Sequence, residues 1–327
     1  VSSQCAQRLP GRHPPKPREH EIAAADWPAV PQFGTLPIPP TDAVAHLGLD
    51  LPVGRLTAIR SRPGTPARGV VLLVPGFTGS KEDFSGFLPL LAELGWDAWS
   101  YSQRGQADSA APSSPEEYTL DRFAGDVLAV VELVSDGRPV HLLGHSFGGV
   151  VARAAAIASP GSFADLTMLC SGPHGWAGRL EREADIVRSR GSKAWWNEVN
   201  PHTIGRPDAE LTADEAFRRL RMGRTSDENL IAGAGILADE TDSTAELLKT
   251  GLPVLVAHGA ADPAWPQDWQ RTMALLLDGR YAVIPDAAHS PQLENPAGTA
   301  VVLDEFWAAA GSGPAVRVPA APAPVAA

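Results

Sequence analysis

Val140-His141-Leu142-Leu143 runs directly into Gly144-His145-Ser146-Phe147-Gly148, and a segment of helical character, Val150 to Ala158, follows at once. That order decides the fold. The mostly apolar run suits a strand buried on both faces, and a helix directly after it is the pattern of an α/β protein. Glycines on both sides of Ser146 permit a sharp strand-to-helix turn, which lifts a serine hydroxyl above the edge of the sheet. Gly-x-Ser-x-Gly occurs once in the chain. Gly and Ser are also common in ordinary turns, so it is the flanking strand and helix that make Ser146 a candidate nucleophile.

Outward from this turn the chain alternates. Residues 69–75 are a continuous apolar, β-branched run, Phe84 to Leu94 places apolar residues on one helical face, and Asp97 to Ser102 reads as a strand. Leu120 to Val134 is helical, and Leu166 to Cys170 is another strand. Residues 173–248 break the rhythm, being polar and helix-compatible with few strand candidates. Alternation resumes with a strand at Val254 to Ala257, a helix near Trp269 to Leu277, a strand at Tyr281 to Ile284 and a helix through Val301 to Trp307. The expected fold is therefore α/β: a mostly parallel central sheet flanked by helices. Its core covers 41–172 and 249–310, with 173–248 inserted as a helical cap.

A serine hydroxyl needs a neighbouring base before it is nucleophilic. After an elbow of this kind the acid and then the histidine follow along the chain. His289 lies in the loop after the last strand and is the last histidine in the sequence. Asp262 follows the strand at 254–257, within His258-Gly259-Ala260-Ala261-Asp262-Pro263. The loop one strand earlier, Ser171-Gly172-Pro173-His174, offers no carboxylate. Asp286 is the rival acid, but it is close enough to His289 for a local turn role to be more natural; Asp262-Pro263 is itself a turn-forming pair. An oxyanion needs preorganised N–H donors. Phe147, directly after the serine, supplies one; Phe77 in Pro75-Gly76-Phe77-Thr78 supplies the other, with Thr78 as the alternative.

Composition excludes some functions. Net charge is −11, and the arginines are scattered rather than grouped in a basic stripe, which argues against a nucleic-acid partner. Cys5 and Cys170 are the two cysteines, expected as free thiols, and no short-spaced Cys/His set indicates a metal. Residues 1–40 are rich in Pro and read as an extended or disordered arm, unless Trp27 and Phe33 anchor it to the domain; 311–327 reads as a disordered tail. No stretch has the length of a transmembrane helix or the apolar core of a signal peptide. A cytoplasmic protein is expected, although a secreted form with its signal removed would have the same composition.

Together these pieces resemble the α/β-hydrolase superfamily, in its serine branch with a helical cap (the lipase, esterase and haloperoxidase-like group), over about residues 55 to 308. Two stretches depart from that branch. Pro75-Gly76 stands where His-Gly is usual, and Ser102-Gln103-Arg104-Gly105-Gln106-Ala107-Asp108-Ser109 stands where Asp-x-Arg-Gly-x-Gly-x-Ser is common. The resemblance implies an acyl-enzyme on Ser146 and cleavage of a carboxylic ester, such as an acylglycerol, lysophospholipid or small ester. It implies no cofactor. Relatives of this fold with an aspartate at the elbow, the haloalkane dehalogenases and epoxide hydrolases, are set aside by Ser146. Trp176, Trp195 and Trp196 would line an apolar substrate site, or equally pack the cap. The same triad also serves thioesterases, acyltransferases, peptidases and carbon–carbon hydrolases, and the fold alone could host a non-catalytic binding protein.

Overall fold

Residues 19–21 and 43–310 are described by the computed structural model. The strands are β1 (Glu19–Glu21), β2 (Ala45–Leu51), β3 (Gly54–Ser61), β4 (Val70–Val74) and β5 (Asp97–Tyr101). They continue with β6 (Val140–His145), β7 (Phe163–Leu169), β8 (Val254–Gly259) and β9 (Arg280–Ile284). One sheet contains them in the order β1-β2-β3-β5-β4-β6-β7-β8-β9. Pairing from β5 across to β9 is parallel, while β1, β2 and β3 are added antiparallel at one side.

The run 70–74 shows why a continuous apolar strand must be central. Val70, Leu72 and Val74 face a cluster with Phe123, Val127 and Val130, which lie on α2 (Leu120–Val134). Val71 and Leu73 face the opposite cluster, with Leu88 and Leu91 of α1 (Leu88–Glu93) and Trp307 of the helix Pro296–Ala310. A period of two therefore serves two cores at once. β4 has β5 on one side and β6 on the other, so the order of strands reverses there. Crevices for ligands form at such a reversal, beyond the carboxyl ends of the strands. The loops after β4 and β6, which carry Phe77 and Ser146, meet at this point.

The structure adds to the sequence reading and corrects it at one helix. The expected fold lacks the antiparallel pair β2 and β3, although Leu47, Leu49 and Leu51 alternate with His46, Gly48 and Asp50 as a half-buried strand should. The segment 84–94 is not one helix. A 3-10 turn occupies Lys81–Phe84 and α1 begins only at Leu88, because Pro89 has no N–H to continue an earlier helix and its ring would meet the preceding turn. Part of the arm, Glu19–Glu21, is extended and pairs with Leu47–Leu49 as the edge strand. Trp27, Phe33, Cys5 and the tail from 311 lie outside the described residues.

Between β7 and β8 the described chain forms helices only: α4 (Glu181–Arg190), α5 (Ser192–Val199), α6 (Ala213–Arg224), α7 (Asp227–Ala238) and α8 (Thr244–Lys249), besides short 3-10 turns. We treat these helices as the cap. Ile186, Val187, Trp195, Trp196, Met222 and Leu230 form their common apolar cluster, against which Phe77 packs. Polar contacts fasten the cap to the core. Ser226 N–H donates to Gly105 O (2.8 Å), and Asn229 Nδ2 donates to Arg104 O (2.7 Å). Arg221 Nη1 donates to Asp83 Oδ1 at 2.6 Å, with both residues buried. Removing one member of a buried pair leaves the other charge unsolvated, at a cost of about 3 kcal/mol or more. Arg221→Met and Asp83→Asn should each lower stability by about that amount. The double variant should lose less than the sum, with a coupling of about 1–3 kcal/mol. Urea unfolding of the four proteins measures this, and strict additivity would show that the pair does not hold the cap. Among the described residues no helix is long and apolar enough to cross a membrane.

Candidate active site

Ser146 sits between β6 and α3 (Phe147–Ala158) with φ 54° and ψ −120°, a conformation L-residues rarely adopt. Its neighbours explain why it is held there. A Cβ at Gly144 would lie 2.2 Å from Gly148 O, and one at Gly148 would lie 2.2 Å from Val74 O. Only glycine lets β6, the start of α3 and the end of β4 come this close. Ser146 N–H donates to Leu169 O at 2.8 Å, which ties the turn to β7. The strain of the elbow, about 1–3 kcal/mol, is thus borne by surrounding packing, and the Ser146 side chain is buried.

Asp262 and His289 arrive from the loops after β8 and β9. His289 Nε2 is 3.0 Å from Ser146 Oγ, and His289 Nδ1 is 2.8 Å from Asp262 Oδ1. Asp262 also accepts from Ala264 N–H (2.9 Å) and Gln270 Nε2 (3.4 Å). Burial works to raise the Asp262 pKa, but the bond and charge of His289 and these further donors outweigh it and hold the carboxyl below its ordinary value. An ionised carboxylate only accepts, so Nδ1 carries the histidine proton. In the neutral ring Nε2 is then bare, and the serine hydroxyl donates to it. Asp286, the rival acid, is exposed in a turn with φ 53°. The oxyanion candidates lie next to Ser146 in sequence and in the loop after β4. Phe147 is the first residue of α3, whose amide has no intrahelical acceptor. Gly76 abuts the nucleophile: a Cβ there would be 3.2 Å from Ser146 Cβ. Thr78 has φ 58° in the turn that Gly79 N–H closes onto Gly76 O (3.1 Å).

Residues 71–302 match the model of a family described as "Alpha/beta hydrolase family". The chain belongs to that family. Among its relatives, a pimeloyl-[acyl-carrier protein] methyl ester esterase of Methylococcus capsulatus is 30% identical over 257 residues, which are 75% of this chain and 97% of that one. A probable oxidoreductase, EphD, of Mycobacterium tuberculosis is 37% identical over 113 residues, 35% of this chain. Those residues are only 19% of its length, so the match concerns one part of a longer protein. The solved structure of a thermophilic esterase from Thermogutta terrifontis superposes with a TM-score of 0.65 at 23% identity, over 82% of this chain and 99% of that one, a likeness of fold.

Within this α/β hydrolase, several groups that sequence reading did not single out support the His289 loop. Glu294 Oε2 accepts from both flanking amides, Ala288 N–H (2.6 Å) and Ser290 N–H (3.2 Å). His145 Nε2 lies 2.6 Å from the His289 carbonyl, which only accepts, so this nitrogen bears the proton. Burial first, and then the neighbouring His289, push the His145 pKa down to about 3, so His145 is neutral at ordinary pH. Below pH 6.5 the unfolded chain binds a proton at this residue that the folded protein refuses until about 3. Stability should therefore fall with pH across that window, by about 1.4 kcal/mol per unit from this group. In His145→Gln the side-chain amide can still donate to the His289 carbonyl, and the acid-induced loss between about pH 6 and about pH 4 should shrink. Urea midpoints at the two pH values check it; an unchanged loss would mean that His145 is not responsible.

Folding also gathers a set that the cysteine spacing did not announce. The ligand atoms of His145, Cys170 and His289 lie within 4.8 Å of one another. Burial raises the Cys170 thiol well above its ordinary pKa, against the thiolate a metal would need. Both nitrogens of His289 already have partners. The donor set does not fit a metal. Of the three tryptophans, Trp195 contacts the Phe77 ring (5.9 Å between centroids). Trp196 Nε1 donates to Thr203 Oγ1 (3.2 Å), and its ring lines an open cavity of about 790 Å3 whose walls include no triad residue. Trp176 stacks with Arg179 and meets Trp269 edge-on.

Proposed function

We propose that Ser146, His289 and Asp262 are the catalytic triad of a carboxylic ester hydrolase acting through an acyl-enzyme. The observation that carries this is the continuous chain from Ser146 Oγ through His289 to a carboxylate held ionised. Ser146 Oγ attacks the ester carbonyl carbon while its proton passes to His289 Nε2, and Asp262 stabilises the imidazolium without taking the proton. The carbonyl electron pair moves onto oxygen, where the Phe77 and Phe147 amides receive it. Collapse expels the alcohol, which takes the proton from His289. Water, activated by the same nitrogen, then releases the acid. Trp195 and Phe77 form the apolar wall on the cap side, Trp196 packs within the cap, and Trp176 packs against the core beside Trp269. The substrate is a small molecule with an apolar acyl group, in the class of acylglycerols, lysophospholipids and small esters.

Ester is preferred over thioester because an esterase is among the relatives matched over nearly their whole length, at 30% identity. A fluorophosphonate probe and a series of p-nitrophenyl esters of increasing chain length, run beside matched acyl-thioesters, test the proposal. Labelling of the folded protein and a higher kcat/KM for esters are expected. A folded wild type that neither labels nor hydrolyses any ester overturns it.

A further inference from the structure

Gln103 and Gln106, in the loop after β5, have no role in the reaction described above, yet both are fully buried beneath the loop that carries Phe77. Gln106 Nε2 donates to Gly76 O (2.9 Å), and Gln103 Nε2 donates to Pro75 O (2.9 Å). Gln106 is itself locked: its Oε1 accepts from Gln103 N–H at 3.0 Å, and its N–H donates to Gln103 O at 2.9 Å. Gly76 O and Phe77 N–H belong to one planar peptide. The peptide is trans, so the two groups point in opposite directions. Fixing the carbonyl toward Gln106 therefore fixes the N–H on the far side. Such a fixing matters here, because Gly76 has little steric preference and the next turn residue, Thr78, already holds φ 58°.

We propose that Gln106 is a positioning residue that orients the Phe77 amide toward the oxyanion; this rests on the assignment of Ser146 as nucleophile. Gln103 is its natural control. It is equally buried and makes the same kind of bond, but to the peptide whose N–H belongs to Gly76, which is not an assigned donor.

The test compares Gln106→Met, Gln106→Glu and Gln103→Met, all checked for a wild-type melting transition; either Gln106 variant suffices if the other does not fold. Each is assayed for kcat and KM on a p-nitrophenyl ester, and for inhibition by a trifluoromethyl ketone and its methyl ketone analogue. The fluorinated ketone gains a bond from Ser146 Oγ to its carbonyl carbon, its carbonyl pair becomes an oxyanion, and the serine proton moves to His289. The methyl ketone remains trigonal. Losing a donor outright costs about 10²–10³ in kcat. Gly79 N–H still holds the Gly76 carbonyl in these variants, so a loss of about 10- to 100-fold is expected. The trifluoromethyl ketone should weaken by the same factor. KM and the methyl ketone affinity should stay within about threefold, and Gln103→Met should lose much less. Folded Gln106 variants with kcat within about twofold of wild type would overturn the assignment, as would equal losses at Gln103 or equal weakening of both ketones. A wild type that neither turns over esters nor binds the trifluoromethyl ketone would instead overturn the hydrolase reading, and this inference with it.

Discussion

Ser146→Ala is expected to reduce ester turnover by about 10⁶-fold in kcat, the scale seen when a triad nucleophile is removed. The size follows from what remains. Without Oγ there is no acyl-enzyme, and His289 has only water to activate, at a position set for a serine. The proposed oxyanion donors would persist, so residual rates should still exceed those of water alone. Folding should be unaffected: alanine keeps the Cβ that already tolerates φ 54°, and the backbone bond to Leu169 O does not involve the side chain. Single-turnover assays, melting curves and phosphonate labelling together decide the matter. A folded Ser146→Ala protein that retains more than about 1% of wild-type kcat, or that labels as strongly, would show that another residue does the chemistry.

Asp262→Asn should lower kcat by about 10⁴-fold while leaving KM within a few-fold, because its effect runs through the histidine tautomer. A carboxamide offers a single acceptor oxygen in place of the carboxylate's pair. The Asp262 carboxylate accepts from His289 Nδ1 and Ala264 N–H through one oxygen and from Gln270 through the other. An amide must either turn its NH2 toward Gln270, donor against donor, or turn it toward His289. The second choice forces the histidine proton onto Nε2, where it can no longer accept from Ser146. Either way the charge that stabilises the imidazolium is gone. Because Asp262 is held below the ordinary carboxylate value, it stays ionised, and wild-type activity should not decline through its protonation until the pH falls below about that range. A variant with kcat within tenfold of wild type would remove Asp262 from the mechanism.

Ser146 and the loops bearing Asp262 and His289 were legible because their determinants are local. A strand, two glycines and a helix stand in consecutive residues, and order along the chain picks the partners. The geometry brings those three side chains together and leaves Asp286 in an exposed turn. Long-range polar contacts were not legible. Gln106 meets a carbonyl 30 residues away, His145 one 144 away, and Arg221 a carboxylate 138 away. None of these side chains has a periodic neighbour that would mark it, and their partners are mostly backbone atoms common to every residue. The β2–β3 hairpin is a different case. Its alternation of Leu47, Leu49 and Leu51 was present to be read, but its strand is half buried and lacks the continuous apolar run that drew attention to 69–75.

Docking of the cap has a consequence for exchanging parts between relatives. Ser226 and Asn229 bond the backbone at Gly105 and Arg104, and Arg221 pairs with Asp83, so the mating surface belongs to both sides. Gly105 is also close-fitting there, since a Cβ would lie 2.7 Å from that of Asn229. A foreign cap grafted at the ends of 173–248 alone would face a carboxylate and two carbonyls shaped for a different guest. The transplantable unit is therefore discontinuous: it comprises the helices together with Asp83 and the 104–107 bend. Exchanging the cap would then mean moving the lock and its keyway as one piece.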